Sequence, residues 1–388
     1  MSFAPRLSDR TAHLREAGLL RALTLRVQAF PDGVNLGQGV CDLDMPKVLR
    51  VAAVDALYRD RATYTPYAGV PDLRAQIVRR TADRYGLRYA DSEVVVTVGS
   101  SMAYTAAIFT LCDPGDEVVL FEPFYPYHRS TAVLAGCVVR TVRLGPDGVD
   151  WAGLAQALGP RTKAVVVNTP SNPFGKVWTP AELDRLGGLI DGTPATVITD
   201  EIYEDLVYEG RVHVPPATRP ALAPRTVTIS GVSKSFSVTG WRLGWLCAPE
   251  PLAKAIGPVF DVMAVCAPRP LQQAAAVALR DLPESYYAEL RSGYERRRGI
   301  LAEALRAGGF RPYVPEGAYY MLADYRDRYG AITPTEASFK LLDEVHVAAI
   351  PGDLFYAGDP PPFVRFQFAV EEPILREVAR RLARRTSG

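Results

Sequence analysis

Short runs of β-branched and apolar residues alternate with helix-compatible segments through the middle of the chain. Glu93–Val98 precedes the helical stretch Met102–Leu111, and Glu117–Phe121 precedes Tyr127–Leu134. Cys137–Val142, Lys163–Asn168, Thr196–Asp200 and Thr226–Ser230 follow, with helical segments between most of them. These runs are apolar throughout rather than alternating, as strands are when both faces of their sheet are covered. A largely parallel sheet with helices on each side is therefore expected, a doubly wound α/β fold. Such a sheet receives its ligand at the carboxyl ends of its strands.

The pattern changes after Ala267. Leu271–Leu305 reads as helix, interrupted near Pro283. Beyond it lie short strands at Tyr319–Ala323, Val345–Ile350 and Phe363–Phe368, and an Arg-rich terminal helix from Glu372 to Arg385. This predicts a smaller α+β domain. Residues 1–47 do not join the parallel pattern and are expected to fold with it. The division is thus 48–280 for the larger domain and 1–47 with 281–388 for the smaller.

Composition narrows the class. The chain has 388 residues, 48% of them hydrophobic, and a net charge of +1. Such a chain has ample core and carries no electrostatic sign of a nucleic-acid partner. Five scattered cysteines with no C-x-x-C pair read as free thiols of a reducing compartment. The histidines at 13, 128, 213 and 346 are single and offer no metal-ligand spacing. No segment has the length of a membrane span. Arg and Ser near the N-terminus faintly suggest a transit peptide, but Asp9 and Glu16 argue against one, so the cytoplasm is expected.

The chemistry gathers at the predicted strand ends. Lys234 lies in Ser230-Gly-Val-Ser-Lys-Ser, with Arg242 eight residues on. Alone, such a lysine is an ordinary solvated residue. It is also an amine able to form a Schiff base, beside an arginine able to fork onto a phosphate. Gly99-Ser100-Ser101 opens a helix after a strand, which suits an anion and equally suits a plain helix cap. Tyr125 follows the next strand, placed to stack on a flat ring or to pack in the core. The Asn168–Lys176 loop is explained by turn chemistry, yet Asn172 also has a side chain that can donate to a ligand. Asp200 ends a buried strand and so calls for a cationic partner, and Tyr203 is three residues on. Arg365, in an apolar strand, calls for a carboxylate from a ligand or from a structural salt bridge.

The order and spacing of these pieces resemble the pyridoxal-phosphate aminotransferases of classes I and II, of fold type I, and within them the bacterial aspartate, kynurenine/glutamine and methionine enzymes. The resemblance runs from Asn35-Leu-Gly-Gln-Gly39 to the C-terminal helix. Its most specific parts are Tyr64-x4-Gly69, Asn168-x-Pro-x-Asn172-Pro-x-Gly175, Asp200-x-x-Tyr203, and Ser233-Lys234 with Gly240-Trp-Arg242. It implies the cofactor pyridoxal 5'-phosphate and amino transfer from an L-amino acid to a 2-oxo acid. Lys234 would hold the cofactor and shuttle a proton. Asp200 would face its ring nitrogen, Tyr203 and Asn172 its phenolic oxygen, and Tyr125 its ring. Arg242, Ser100, Ser101 and Ser233 would surround its phosphate, joined by Tyr64 of a second subunit in a homodimer with shared sites. Arg365, Asn172 and the Gly39 backbone would fix the substrate carboxylate.

Three departures stand out. Gly39-Val-Cys41-Asp42-Leu43 replaces the family's Gly-x-Pro-Asp-Phe. Gly231 occupies a position often held by a phosphate-binding serine, with Ser230 or Ser233 as substitutes. Arg269 lies where relatives have small or uncharged residues, and is a candidate for recognising an acidic substrate side chain, or simply a surface arginine. The Cys41 segment keeps open a second outcome on the same scaffold: elimination, cyclisation or oxidation. A ligand-sensing regulator would need an added DNA-binding module, for which the residues before position 35 are too few.

Overall fold

The computed structural model describes residues 16–384, together with Ser8 and Thr11; Asp9, His13 and Arg385 lie outside the described residues. Its main sheet has eight strands: β1 (Val94–Thr97), β2 (Glu117–Glu122), β3 (Val138–Gly145), β4 (Gly148–Val149), β5 (Thr162–Asn168), β6 (Thr196–Asp200), β7 (Thr226–Gly231) and β8 (Gly244–Cys247). They lie in the order β1-β8-β7-β6-β5-β2-β3-β4. The run from β7 to β3 is parallel. β8 is antiparallel to both of its neighbours. Short β4 is antiparallel to β3. The expected parallel sheet therefore has two reversed strands, β8 within it and β4 at its edge, which the runs Gly-Trp-Leu-Cys and Gly-Val do not announce.

Burial on both faces explains the unbroken apolar runs. Val118, Leu120, Ala164 and Val166 enter one core, against helices Gly99–Leu111 and Glu250–Ala264. Their neighbours Val119, Phe121, Val165 and Val167 enter another, against helix Pro180–Ile190. Adjacent strand residues point to opposite faces, so each strand must be apolar at every position. Each fully buried valine or leucine is worth roughly 1.5–3 kcal/mol of transfer free energy.

The second layer is a four-stranded antiparallel sheet, ordered β9-β10-β12-β11, from β9 (Arg311–Tyr313), β10 (Tyr320–Asp324), β11 (Ile350–Pro351) and β12 (Phe363–Gln367). The expected strand Val345–Ile350 is divided. Val345 ends helix Pro334–Val345, Val347–Ala348 pairs in parallel with Val34–Asn35, and Ile350 belongs to β11. His346, in the left-handed conformation (φ 55°), breaks the run. The pairing with Val34–Asn35 ties the N-terminal segment to this layer. The helical stretch after Ala267 is two helices, Arg269–Asp281 and Glu284–Ala307, parted at Pro283; the terminal helix is Glu372–Leu382.

Candidate active site

An open cleft of about 1020 Å³ lies at the carboxyl ends of the main strands, closed on its other side by the coil around Gly39 and by Tyr320 and Arg365. Ser100 and Ser101 line it after β1, Tyr125 after β2, Asn172 after β5, Asp200 and Tyr203 at the end of β6, and Ser233 and Lys234 after β7. Residues up to 344 positions apart in sequence (Arg21 and Arg365) thus meet in one space.

Lys234 Nζ donates to Tyr319 Oη at 2.7 Å and to the Gly39 carbonyl at 3.3 Å. Tyr319 Oη in turn donates to that carbonyl at 3.0 Å. Burial holds the amine below the ordinary lysine range, and Arg242 adds to the effect, against raising contributions from Tyr320, Cys41 and Asp200. No carboxylate pairs with Lys234 among the described residues. A hydrogen-bond network fixes its loop from beneath. Asp205, fully buried, accepts from Arg80 Nη2 at 2.8 Å, from Arg84, and from Ser235 Oγ. Tyr286 Oη donates to the Ser235 carbonyl at 2.6 Å.

Asp200 Oδ2 accepts from His128 Nε2 at 3.1 Å, and Oδ1 from the Ile202 amide at 3.3 Å. The side chain that meets Asp200 within the chain is thus a histidine that sequence reasoning passed over as single. The signal was available: His128 follows Tyr125 by three residues across a helix start, so both side chains face one way. Their rings meet edge-on at 5.2 Å.

Arg365 has no carboxylate partner among the described residues, so the structural salt bridge is not what holds it. Its Nη1 donates to Asn172 Oδ1 at 2.9 Å and its Nη2 to the Gly37 carbonyl at 2.7 Å, while buried Nε has no partner. Its guanidinium lies 4.2 Å from the Tyr320 ring centroid. Burial pushes the Tyr320 phenol up, but Lys234, Arg365 and hydrogen bonds from Tyr203 and Tyr319 outweigh it and hold the phenol below its usual value. Tyr203 goes the other way, raised by burial. Sequence reasoning missed both Tyr319 and Tyr320.

Arg242 takes the left-handed conformation (φ 52°) after the short turn Thr239–Trp241, with Nη1 on the Thr239 carbonyl. Its guanidinium lies against Gly99, at the N-terminus of helix Gly99–Leu111: a Cβ on Gly99 would sit 2.6 Å from Arg242 Nη2. Gly99 also has φ +74°, a conformation that favours glycine. Of the two serines near Gly231, Ser233 lines the cleft, whereas Ser230 Oγ turns to Glu204 at 3.0 Å.

Three candidates lie outside this chain's cleft. Tyr64 is 79% exposed. Arg269 is held by Asp60 at 2.8 Å. Cys41 sits behind Lys234, its Sγ 2.9 Å from Tyr294 Oη and 3.2 Å from Ser237 Oγ. The Gly39 carbonyl serves Lys234 rather than Arg365, which takes Gly37.

Comparison with known proteins follows from this geometry. The family described as aminotransferase class I and II matches residues 31–382, and the chain belongs to it. A probable N-succinyldiaminopimelate aminotransferase of Mycobacterium tuberculosis is 37% identical over 379 residues, 94% of each chain. The aspartate aminotransferase of Geobacillus stearothermophilus is 34% identical, over 99% of this chain and 98% of its own. The structure of the Escherichia coli methionine aminotransferase YbdL superposes with a TM-score of 0.93 at 32% identity, covering 98% of this chain and all of its own. The fold is that of the fold type I enzymes, and the chain is a pyridoxal-phosphate-dependent aminotransferase.

The residues present suit that cofactor. The amine of Lys234 has no acid partner, the Nε of Arg365 is buried and unpartnered, and the absent Cβ of Gly99 keeps Arg242 against a helix N-terminus, where an anion is favoured.

Proposed function

We propose that the cleft transfers an amino group from an L-amino acid to a 2-oxo acid in two half-reactions at one site, with Lys234 as the base. The observation that carries this reading is that two basic side chains, Lys234 and Arg365, line one cleft with no acid partner among the described residues. Pyridoxal phosphate, when bound, supplies an aldehyde and an electron-withdrawing ring. The chain supplies the rest. Arg242, Ser100, Ser101 and Ser233 hold the phosphate at the helix N-terminus. Asp200, held by His128, would face the ring nitrogen, and Tyr125 would lie against the ring. Tyr203 and Asn172 reach its phenolic oxygen. Arg365 forks onto the substrate carboxylate, with Asn172 beside it. Burial disfavours the ammonium form of Lys234, so more of it is free to accept a proton from the substrate Cα and return it.

Tyr319 fixes where that amine rests. Its own proton is committed to the Gly39 carbonyl, so its lone pair faces Nζ. Cys41 presents no group to the substrate, which favours transfer over elimination, cyclisation or oxidation.

We also read the enzyme as a homodimer. Helix Lys47–Arg59 leaves Val51, Leu57 and Tyr58 exposed, more apolar surface than a helix against water calls for. Tyr64 follows it, and would complete the phosphate site of a second copy. Residues 48–280 are taken as the cofactor-binding domain, and 1–47 with 281–388 as the smaller one. No described helix is long and apolar enough to cross a membrane; the five free thiols support a cytoplasmic site.

Borohydride reduction followed by peptide mass spectrometry tests the central assignment. The cofactor mass is expected on Lys234 alone, with stoichiometric 2-oxo acid formed from an amino-acid donor. A cofactor adduct elsewhere, or ammonia as the nitrogen product, sinks it.

A further inference from the structure

The charges lining the cleft are unequal. Among the described residues, Arg21, Lys234, Arg242 and Arg365 line it, with Asp200 as the one carboxylate. In the reading above, four of these five are accounted for. Arg242 meets the phosphate, Asp200 the ring nitrogen, Arg365 the substrate carboxylate, and Lys234 the cofactor. Arg21 is left over. It has no ion pair or hydrogen bond among the described residues, whereas Arg26, on the same helix, is held by Asp343 at 2.7 Å.

Arg21 belongs to helix Glu16–Gln28, which packs on the smaller layer through Leu23 and Val27. Positions 21, 24 and 25 share the opposite face, three and four residues apart, and all three line the cleft. Leu25 is 58% exposed there, and Val40 is exposed across from it. A cation flanked by exposed apolar surface suits a short methylene chain that ends in a negative charge. Arg269, the other candidate for that task, is neutralised by Asp60 and does not line this cleft.

We propose that Arg21 is a specificity subsite for a second carboxylate, so that the enzyme takes amino acids and 2-oxo acids with acidic side chains. The inference rests on the reading of Lys234 and Arg365 given above. A charge-assisted arginine–carboxylate contact favours the acid over its uncharged isostere by roughly ten- to a hundredfold.

The test compares L-glutamate with L-glutamine, equal in length and different in charge, as donors to the holoenzyme and to Arg21→Gln. The wild type is expected to favour glutamate at least about tenfold in kcat/KM. In the variant that preference should disappear, through loss of glutamate activity and with glutamine within about twofold of wild type. In parallel, glutarate should raise the melting temperature of the wild-type holoenzyme more than butyrate does, and Arg21→Gln should remove the difference. A wild type without charge preference, or equal losses for both donors, overturns the subsite. Absence of amino transfer from any donor would instead strike at the underlying reading, so the two failures are distinct.

Discussion

The hydroxyl of Tyr319 stands between Lys234 and the carbonyl of Gly39, and one oxygen atom decides whether the released amine has a fixed resting place. Tyr319→Phe keeps the ring and its packing on Tyr294 and Tyr203. It removes only the hydroxyl, which accepts from Nζ and donates to the Gly39 carbonyl. The expected result is a kcat lowered about tenfold with KM changed less than about twofold, because the substrate carboxylate is read elsewhere. Steady-state kinetics with a single donor checks it; a raised KM at unchanged kcat would place Tyr319 in substrate binding instead. At this scale the sequence is informative where a residue is chemically out of place. Asp200 at an apolar strand end and Arg365 inside an apolar strand both announce a partner, since isolated buried charge is costly. Tyr319 and Arg21 carry no such flag, and His128 carries only its spacing from Tyr125. A tyrosine in an aromatic-rich strand and an arginine on a surface helix look ordinary until their neighbours are known.

Among the elements, the turn after β7 matters most, and it is held by charges rather than by its own sequence. Burial alone would push the Asp205 carboxyl up, but Arg80, Arg84 and the Ser235 hydroxyl override it and hold it at about 2. Asp205→Ala leaves two largely buried guanidinium groups short of their acid, and is expected to destabilise the fold by about 3–5 kcal/mol in urea titration. The sign with pH follows from the lowered value. An acid bound less tightly to its proton when folded stabilises the fold above the ordinary value of 3.8, and that contribution is lost as pH falls through about 2. The stability gap between wild type and Asp205→Ala should therefore narrow over that window; a gap constant with pH would remove Asp205 from the role. The elements themselves were legible because continuous apolar runs and helical segments differ in length and breaker residues. β8 and the split at His346 were not, because runs of two to four residues carry no period.

For the whole molecule, one chain's cleft leaves Tyr64 outside, and the proposed dimer supplies it from a second copy. Mixing Lys234→Ala with Tyr64→Ala under conditions that exchange subunits should therefore regain activity that neither variant has alone at limiting cofactor. Each hybrid then has one site carrying both lesions and one carrying neither. Activity no greater than the sum of the parents would place both residues in one subunit's site. The sequence by itself determined the α/β class and the strand ends as the place of chemistry, and its resemblance to the family singled out the lysine, the acid and the two arginines proposed to meet cofactor and substrate. Local patterning suffices for the class and the strand ends, since apolar runs fix which segments are buried, whereas the site residues needed the order and spacing of several motifs together. Tertiary structure alone decided that His128 meets Asp200, that Tyr319 meets the amine, that the Cys41 thiol meets Tyr294 and Ser237, and that Arg21 lines the cleft with no partner among the described residues. Each of those depends on which distant side chains share a few ångströms of space, and no local pattern encodes such distances.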